Sequence, residues 1–148
     1  MTDAFAWKIV LIDDEEDIRE VMSVSLEDEG YRVFTAENGR RGLGLCEAES
    51  PQIVITDLMM PGMDGHAVLH TLRQTHSSST LPVIMVTANN LRQSVISAGR
   101  AGVTDYLLKP FDDNRLAAVL ERCKNKVRKG EVEKLSKRLF DLLDHYRT

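Results

Sequence analysis

Five short apolar runs punctuate the chain: KIVLI (8–12), YRVFTA (31–36), QIVIT (52–56), LPVIMVT (81–87) and TDYLL (104–108). Their length and mostly β-branched content predict strands. Between them apolar positions recur at steps of three and four, the spacing of a helix that buries one face. These are Ile18, Val21, Met22 and Leu26 with the small polar Ser25 in the first segment, Leu43, Leu45 and Ala48 in the second, and Val68, Leu69 and Leu72 in the third. A fourth carries Val95, Ile96 and Ala98, and a fifth Leu116, Val119, Leu120 and Cys123. Gly30 stands where the first helix should stop. Strands that alternate with helices, and are apolar at successive positions, predict an α/β fold: a five-stranded parallel sheet, doubly wound, with both faces covered by right-handed crossovers.

In such a sheet ligands sit beyond the carboxyl ends of the strands. The first strand ends in Asp13 and Asp14, the third in Asp57, the fourth in Thr87 and the fifth in Lys109, whereas the second ends in Ala36 and Glu37. Any one of these polar residues could simply mark a strand emerging into a turn. Together they put three carboxylates, a hydroxyl and an amine on one edge. Converging carboxylates repel by several kcal/mol unless a cation sits among them, and oxygen-only ligands suit Mg2+ or Mn2+. A hydroxyl and an ammonium opposite the metal would complete a clamp for a phosphoryl group in transfer, with Asp57 as the nucleophile.

These residues carry a family resemblance. LIDDEEDIRE with its acid pair, DLMMPGMDG with its central aspartate, VTA with its hydroxyl and DYLLKPF with its Lys-Pro stand in the order and spacing of the receiver domains of two-component response regulators, and about residues 7–129 resemble that family. The resemblance implies a flavodoxin-like (βα)5 fold with strand order 2-1-3-4-5. It implies Asp57 as phosphoacceptor, Asp14 as a direct Mg2+ ligand, Asp13 acting largely through water, and the backbone carbonyl of Met59 as a further ligand. Thr87 and Lys109 would contact the phosphoryl oxygens beside a small Ala88, a cis Lys109–Pro110 bond would aim the amine, and Thr87 and Tyr106 would form the switch. Met59 and Asn89 would stand at the family's two variable positions flanking the phosphoryl group and tune dephosphorylation. The implied partners are a sensor histidine kinase or phosphotransfer protein, which supplies phosphohistidine, and a downstream protein that reads a two-state surface of the fourth helix, fifth strand and fifth helix. In this reading the chain is a phosphoacceptor regulator that catalyses only its own phosphorylation and dephosphorylation.

Two rivals are weighed. A phosphatase of the haloacid dehalogenase type needs a second aspartate two residues after the nucleophile, where this chain has Met59. A pseudo-receiver would bind partners without phosphorylation, against which the full set Asp13, Asp14, Asp57, Thr87 and Lys109 argues. Met60 reads as a core methionine, and Pro61, Gly62 and Gly65 as turn chemistry. His66 and His70 stand four apart but lack a third ligand, so a solvated helix face explains them.

Composition narrows the setting. At 43% hydrophobic and 28% charged, 148 residues suit one domain. Cys46 and Cys123 form no metal or disulfide motif and read as small hydrophobes in a reducing cytosol. With no leader-like start and no spanning apolar run, a cytoplasmic protein without a membrane partner is expected. Trp7, just ahead of the first strand, offers a fluorescent reporter if it senses the site.

Charge is uneven. Residues 1–120 carry 10 Lys and Arg against 18 Asp and Glu, and residues 121–148 carry 9 against 5. The resemblance implies a receiver over 1–129, and an amphipathic helical extension follows over 130–148, with Gly130 marking a bend or a change of face. In the extension Val132, Leu135, Leu139, Leu142 and Tyr146 are spaced 3, 4, 3, 4, the a/d seam of a coiled coil about two heptads long. Packing on its own domain, forming a homodimer through the C-terminal helix, and linking to a further segment compete, and the exposed seam favours pairing. A solvated face explains the basic residues better than nucleic acid, since no groove-reading motif accompanies them. The roughly 20 residues after 129 are too few to build an output domain, although a longer transcription factor cut at this point is an alternative.

Overall fold

A computed structural model describes residues 6–88, 99 and 101–145. Its strands are β1 (Lys8–Ile12), β2 (Arg32–Ala36), β3 (Ile53–Asp57), β4 (Val83–Thr87) and β5 (Asp105–Leu108). They form one sheet in the order β2-β1-β3-β4-β5, with every neighbouring pair parallel. The helices are α1 (Glu16–Asp28), α2 (Gly39–Glu49), α3 (Gly65–Arg73) and the long C-terminal α4 (Asp113–His145). The fourth helical segment, read from Val95, Ile96 and Ala98, lies outside the described residues, as do Asn89 and Tyr146.

The unbroken apolar runs follow from burial on both faces. Ile9, Leu11, Ile53, Ile55, Ile84 and Val86 point to the side where Met22 and Leu26 of α1 and Leu116, Val119, Leu120 and Cys123 of α4 pack. The alternate positions Val10, Ile12, Val54, Val83 and Met85 meet Val68, Leu69 and Leu72 of α3. Each aliphatic side chain removed from water contributes about 1.5–3 kcal/mol, so the two cores hold the strand ends in fixed register.

Several helix positions differ from the periodic reading. Val21 is 67% exposed, because the α1 stripe that reaches the sheet runs through Met22 and Leu26 and leaves Val21 rotated about 100° away. In α2, Leu43 and Leu45 are half-buried and Ala48 is exposed, while the buried residues are Gly39 and Gly42. The helix approaches the sheet so closely that a Cβ at position 42 would collide with the Ile12 side chain. Gly30 ends α1 as expected: its φ is +95°, and its N–H donates to the Glu27 carbonyl at 2.9 Å.

Gly130 does not interrupt α4, which runs as one α-helix of 33 residues. A single helix-interior glycine costs only about 1 kcal/mol, and good helix formers flank this one. The α4 side chains buried against the domain end at Val127. Beyond Gly130 every described residue is exposed. No helix among the described residues is long and apolar enough to cross a membrane.

Candidate functional site

Because all five strands are parallel, their carboxyl ends share one edge. Backbone hydrogen bonds extend the ladder just past the strands: Asp13 N–H to Ala36 O at 3.1 Å, Leu58 N–H to Val86 O at 2.9 Å, and Lys109 N–H to Thr87 O at 2.8 Å. These bonds fix the backbone from which Asp13, Asp57, Thr87 and Lys109 project.

Residues distant in sequence meet there. The Lys109 ammonium lies 3.1 Å from Asp13 Oδ2 and 3.4 Å from Asp57 Oδ2, with both carboxylates almost fully buried. The Lys109–Pro110 bond is cis, as the family resemblance implied. Asp57 Oδ1 also accepts a long hydrogen bond from the Met59 N–H at 3.4 Å. Carboxylate oxygens of Asp13, Asp14, Glu15 and Asp57 all fall within 4.8 Å of one another. Thr87 is fully buried, and Tyr106 is half-buried against the α3-side core.

The electrostatics show an uneven balance. Burial pushes the Asp57 carboxyl above its ordinary value and Asp13 adds to this, while Lys109 and the Met59 N–H act against it. Burial pulls the Lys109 ammonium down, yet its bonds to Asp13 and Asp57 and their charges outweigh that and hold it above its ordinary value. The two directions are compatible. One cation shared by two buried carboxylates is over-compensated itself and leaves Asp57 under-compensated. Such a site has room for further positive charge, and its oxygen-only donors fit a hard divalent cation.

The turn after β3 carries the chain from Asp57 into α3. Met59 is exposed and Met60 buried, and Gly62 adopts φ +76°. Asp64 caps α3 by accepting from the Ala67 N–H at 2.9 Å. Gly65, the first residue of α3, donates to Leu58 O at 2.9 Å, which holds the helix against the end of β3.

Two participants escaped the sequence reading. Glu15 joins the acid group, and its N–H donates to Asp13 Oδ1 at 2.9 Å. Arg19, one turn into α1, donates from Nη1 to the Asp13 carbonyl at 2.7 Å. The DDEE run was a signal for Glu15, whereas nothing local marked Arg19. His66 and His70, on α3, are outside the acid group, and Glu37 pairs instead with Arg41 at 2.9 Å. Trp7 lies at the amino end of β1, about 20 Å of extended chain from Asp13, where the Arg128 guanidinium sits 5.8 Å from its ring centre. It is therefore poorly placed to report on the site.

Known proteins resemble this chain in sequence and fold. A family model described as the response regulator receiver domain matches residues 9–121. Over 118 residues the chain is 37% identical to the transcriptional regulatory protein AfsQ1 of Streptomyces coelicolor, covering 77% of this chain and 51% of AfsQ1. It is 38% identical over 112 residues to the DNA-binding transcriptional regulator NtrC of Salmonella typhimurium, covering 76% of this chain and 24% of NtrC. The chain thus spans about half the length of one relative and a quarter of the other. Its fold superposes on the chemotaxis protein CheY4 of Vibrio cholerae with a TM-score of 0.75 at 30% identity, over 80% of this chain and 98% of CheY4. The sheet order, the strand-end residues and the match over residues 9–121 lead to one conclusion: the chain belongs to the response regulator receiver domain family of two-component systems.

Proposed function

We propose that this receiver is a phosphorylation-activated switch that accepts a phosphoryl group on Asp57 from the phosphohistidine of a sensor histidine kinase or phosphotransfer protein. The observation that supports it most is the meeting of Asp13 and Asp57 on the single Lys109 ammonium at the open edge of the sheet. Asp57 attacks the phosphorus in line, the bond from phosphorus to the donor imidazole nitrogen breaks, and the imidazole keeps that electron pair. The product is an acyl phosphate whose added negative charge faces Lys109 and the Thr87 hydroxyl. Hydrolysis of that acyl phosphate resets the switch.

Asp14, Asp57 and the Met59 carbonyl, with Asp13 acting through water, are the residues that would hold Mg2+ or Mn2+. When bound, the ion supplies charge neutralisation for the phosphoryl oxygens. Glu15, exposed at the start of α1, adds to the negative potential that draws a cation in. Thr87 and Tyr106 form the switch pair, and the readout surface includes β5 and the first half of α4. The functional division stays at residues 1–129 for the receiver and 130–148 for the extension, although the helix itself is continuous.

The test is uptake of one phosphoryl group from acetyl phosphate in the presence of Mg2+, followed by intact mass on wild type and Asp57→Asn. Wild type gains one group and loses that ability with a chelator, and the variant gains none. Equal labelling of the two proteins would overturn the assignment, and no labelling of either would return the chain to the pseudo-receiver reading.

A further inference from the structure

We infer that the extension of α4 is a pairing surface for a second copy of this chain, the two helices running parallel. A helical segment that packs on its own domain turns its apolar side inward, but the extension does the reverse. At about 100° per residue, the buried stripe of Leu116, Val119, Leu120, Cys123 and Val127 and the exposed stripe of Val132, Leu135, Leu139, Phe140, Leu142 and Leu143 are centred roughly 150° apart around the axis. The side that continues the buried stripe is polar. There Gly130, Lys134 and Lys137 line a groove of about 400 Å³ with Ser79 and Thr80 of the loop before β4. A continuous helix cannot turn its apolar stripe back onto the domain that carries it.

Those six side chains are 56–66% exposed. At roughly 100 Å² each they offer on the order of 600 Å² per chain, somewhat below the about 800 Å² per partner of a standard interface. Association that is weak and concentration-dependent is the expected consequence.

The residues flanking the seam select the orientation. With Val132 and Leu139 at a and Leu135 and Leu142 at d, the g residues are Glu131, Arg138 and His145, and the e residues are Ser136 and Leu143. In a parallel pair Glu131 faces Ser136 of the second copy and Arg138 faces Leu143, so no like charges meet. In an antiparallel pair with the same four layers, Arg138 faces its own counterpart, which is repulsive. Parallel pairing also leaves the two receivers on the outer sides of the seam, opposite its apolar stripe. Upstream, the d position is Arg128, which is tied to the Trp7 ring of its own domain, so pairing begins at Val132.

Sedimentation of the full chain from low micromolar to hundreds of micromolar tests this. Wild type shifts from monomer to dimer as concentration rises, and Leu135→Lys with Leu139→Lys stays monomeric while keeping its thermal stability and its phosphoryl uptake, since both positions are exposed. A wild type that is monomeric throughout, or a double variant that still dimerises, overturns the surface. Orientation is read by oxidation in a Cys46→Ser background. Leu142→Cys cross-links to itself in the parallel arrangement, whereas cross-linking only between Leu142→Cys and Val132→Cys chains overturns it.

Discussion

Replacing Gly65 with alanine should damage both the fold and the site, although alanine is the better helix former. Gly65 is the first residue of α3, and a Cβ there would stand 2.5 Å from the Asp57 backbone oxygen, 2.6 Å from Met85 Sδ and 2.9 Å from Leu58 Cα. Two of these atoms are backbone and cannot rotate away, and Met85 is fully buried. Overpacking of this kind costs about 1–3 kcal/mol, and the gain from replacing a helical glycine is at most about 1 kcal/mol. A net loss of about 1–2 kcal/mol lowers the Tm of a chain this size by roughly 3–6 °C. The strain falls on the peptide that follows Asp57, the proposed phosphoacceptor, so phosphoryl uptake should slow as well. Gly44→Ala is the control, because nothing lies within 4 Å of a Cβ there and the position is exposed on α2. That variant should gain up to about 1 kcal/mol. Thermal unfolding and acetyl phosphate labelling of the two variants decide the matter. A Gly65→Ala protein with an unchanged or higher Tm and normal labelling would refute the reasoning that the close approach of α3 to β3 constrains the site.

The folded-state pKa of Asp57 is raised by burial and then by Asp13, so its favourable contribution is fully present below the unfolded carboxylate value of about 3.9 and is lost as pH rises through the folded value. In metal-free buffer Asp57→Asn should therefore unfold at a higher temperature than wild type at neutral pH, with the difference shrinking toward pH 4; a wild type that is the more stable at neutral pH would count against the under-compensated carboxylate. Mg2+ should raise the Tm of wild type by mass action, worth about 2.7 kcal/mol at a hundredfold excess over Kd, and Asp14→Ala should remove most of that gain. Thermal shift is the suitable assay given the position of Trp7, and an equal gain in the variant would place the cation elsewhere.

The strands were readable because burial on both faces leaves an unmistakable local mark: β1 spans the KIVLI run, and the other four strands fall within a residue or two of their apolar runs. Once a parallel sheet is inferred, Asp13, Asp57, Thr87 and Lys109 must share an edge, since parallel strands carry all their carboxyl ends to one side. Periodicity was weaker for the helices. It told which side chains share a face but could not separate Met22 from Val21, and it passed over Gly39 and Gly42, whose contribution is the absence of a side chain where α2 approaches the sheet. Only the tertiary structure brought Lys109 to Asp13 across 96 positions, and only it recruited the Arg19 guanidinium to the Asp13 carbonyl. The extension draws the same line most clearly. Its 3, 4, 3, 4 spacing was plain in the sequence, but which way that stripe points depends on the phase of a helix that continues through Gly130, and that phase is set by how Leu116, Leu120 and Cys123 seat against the sheet.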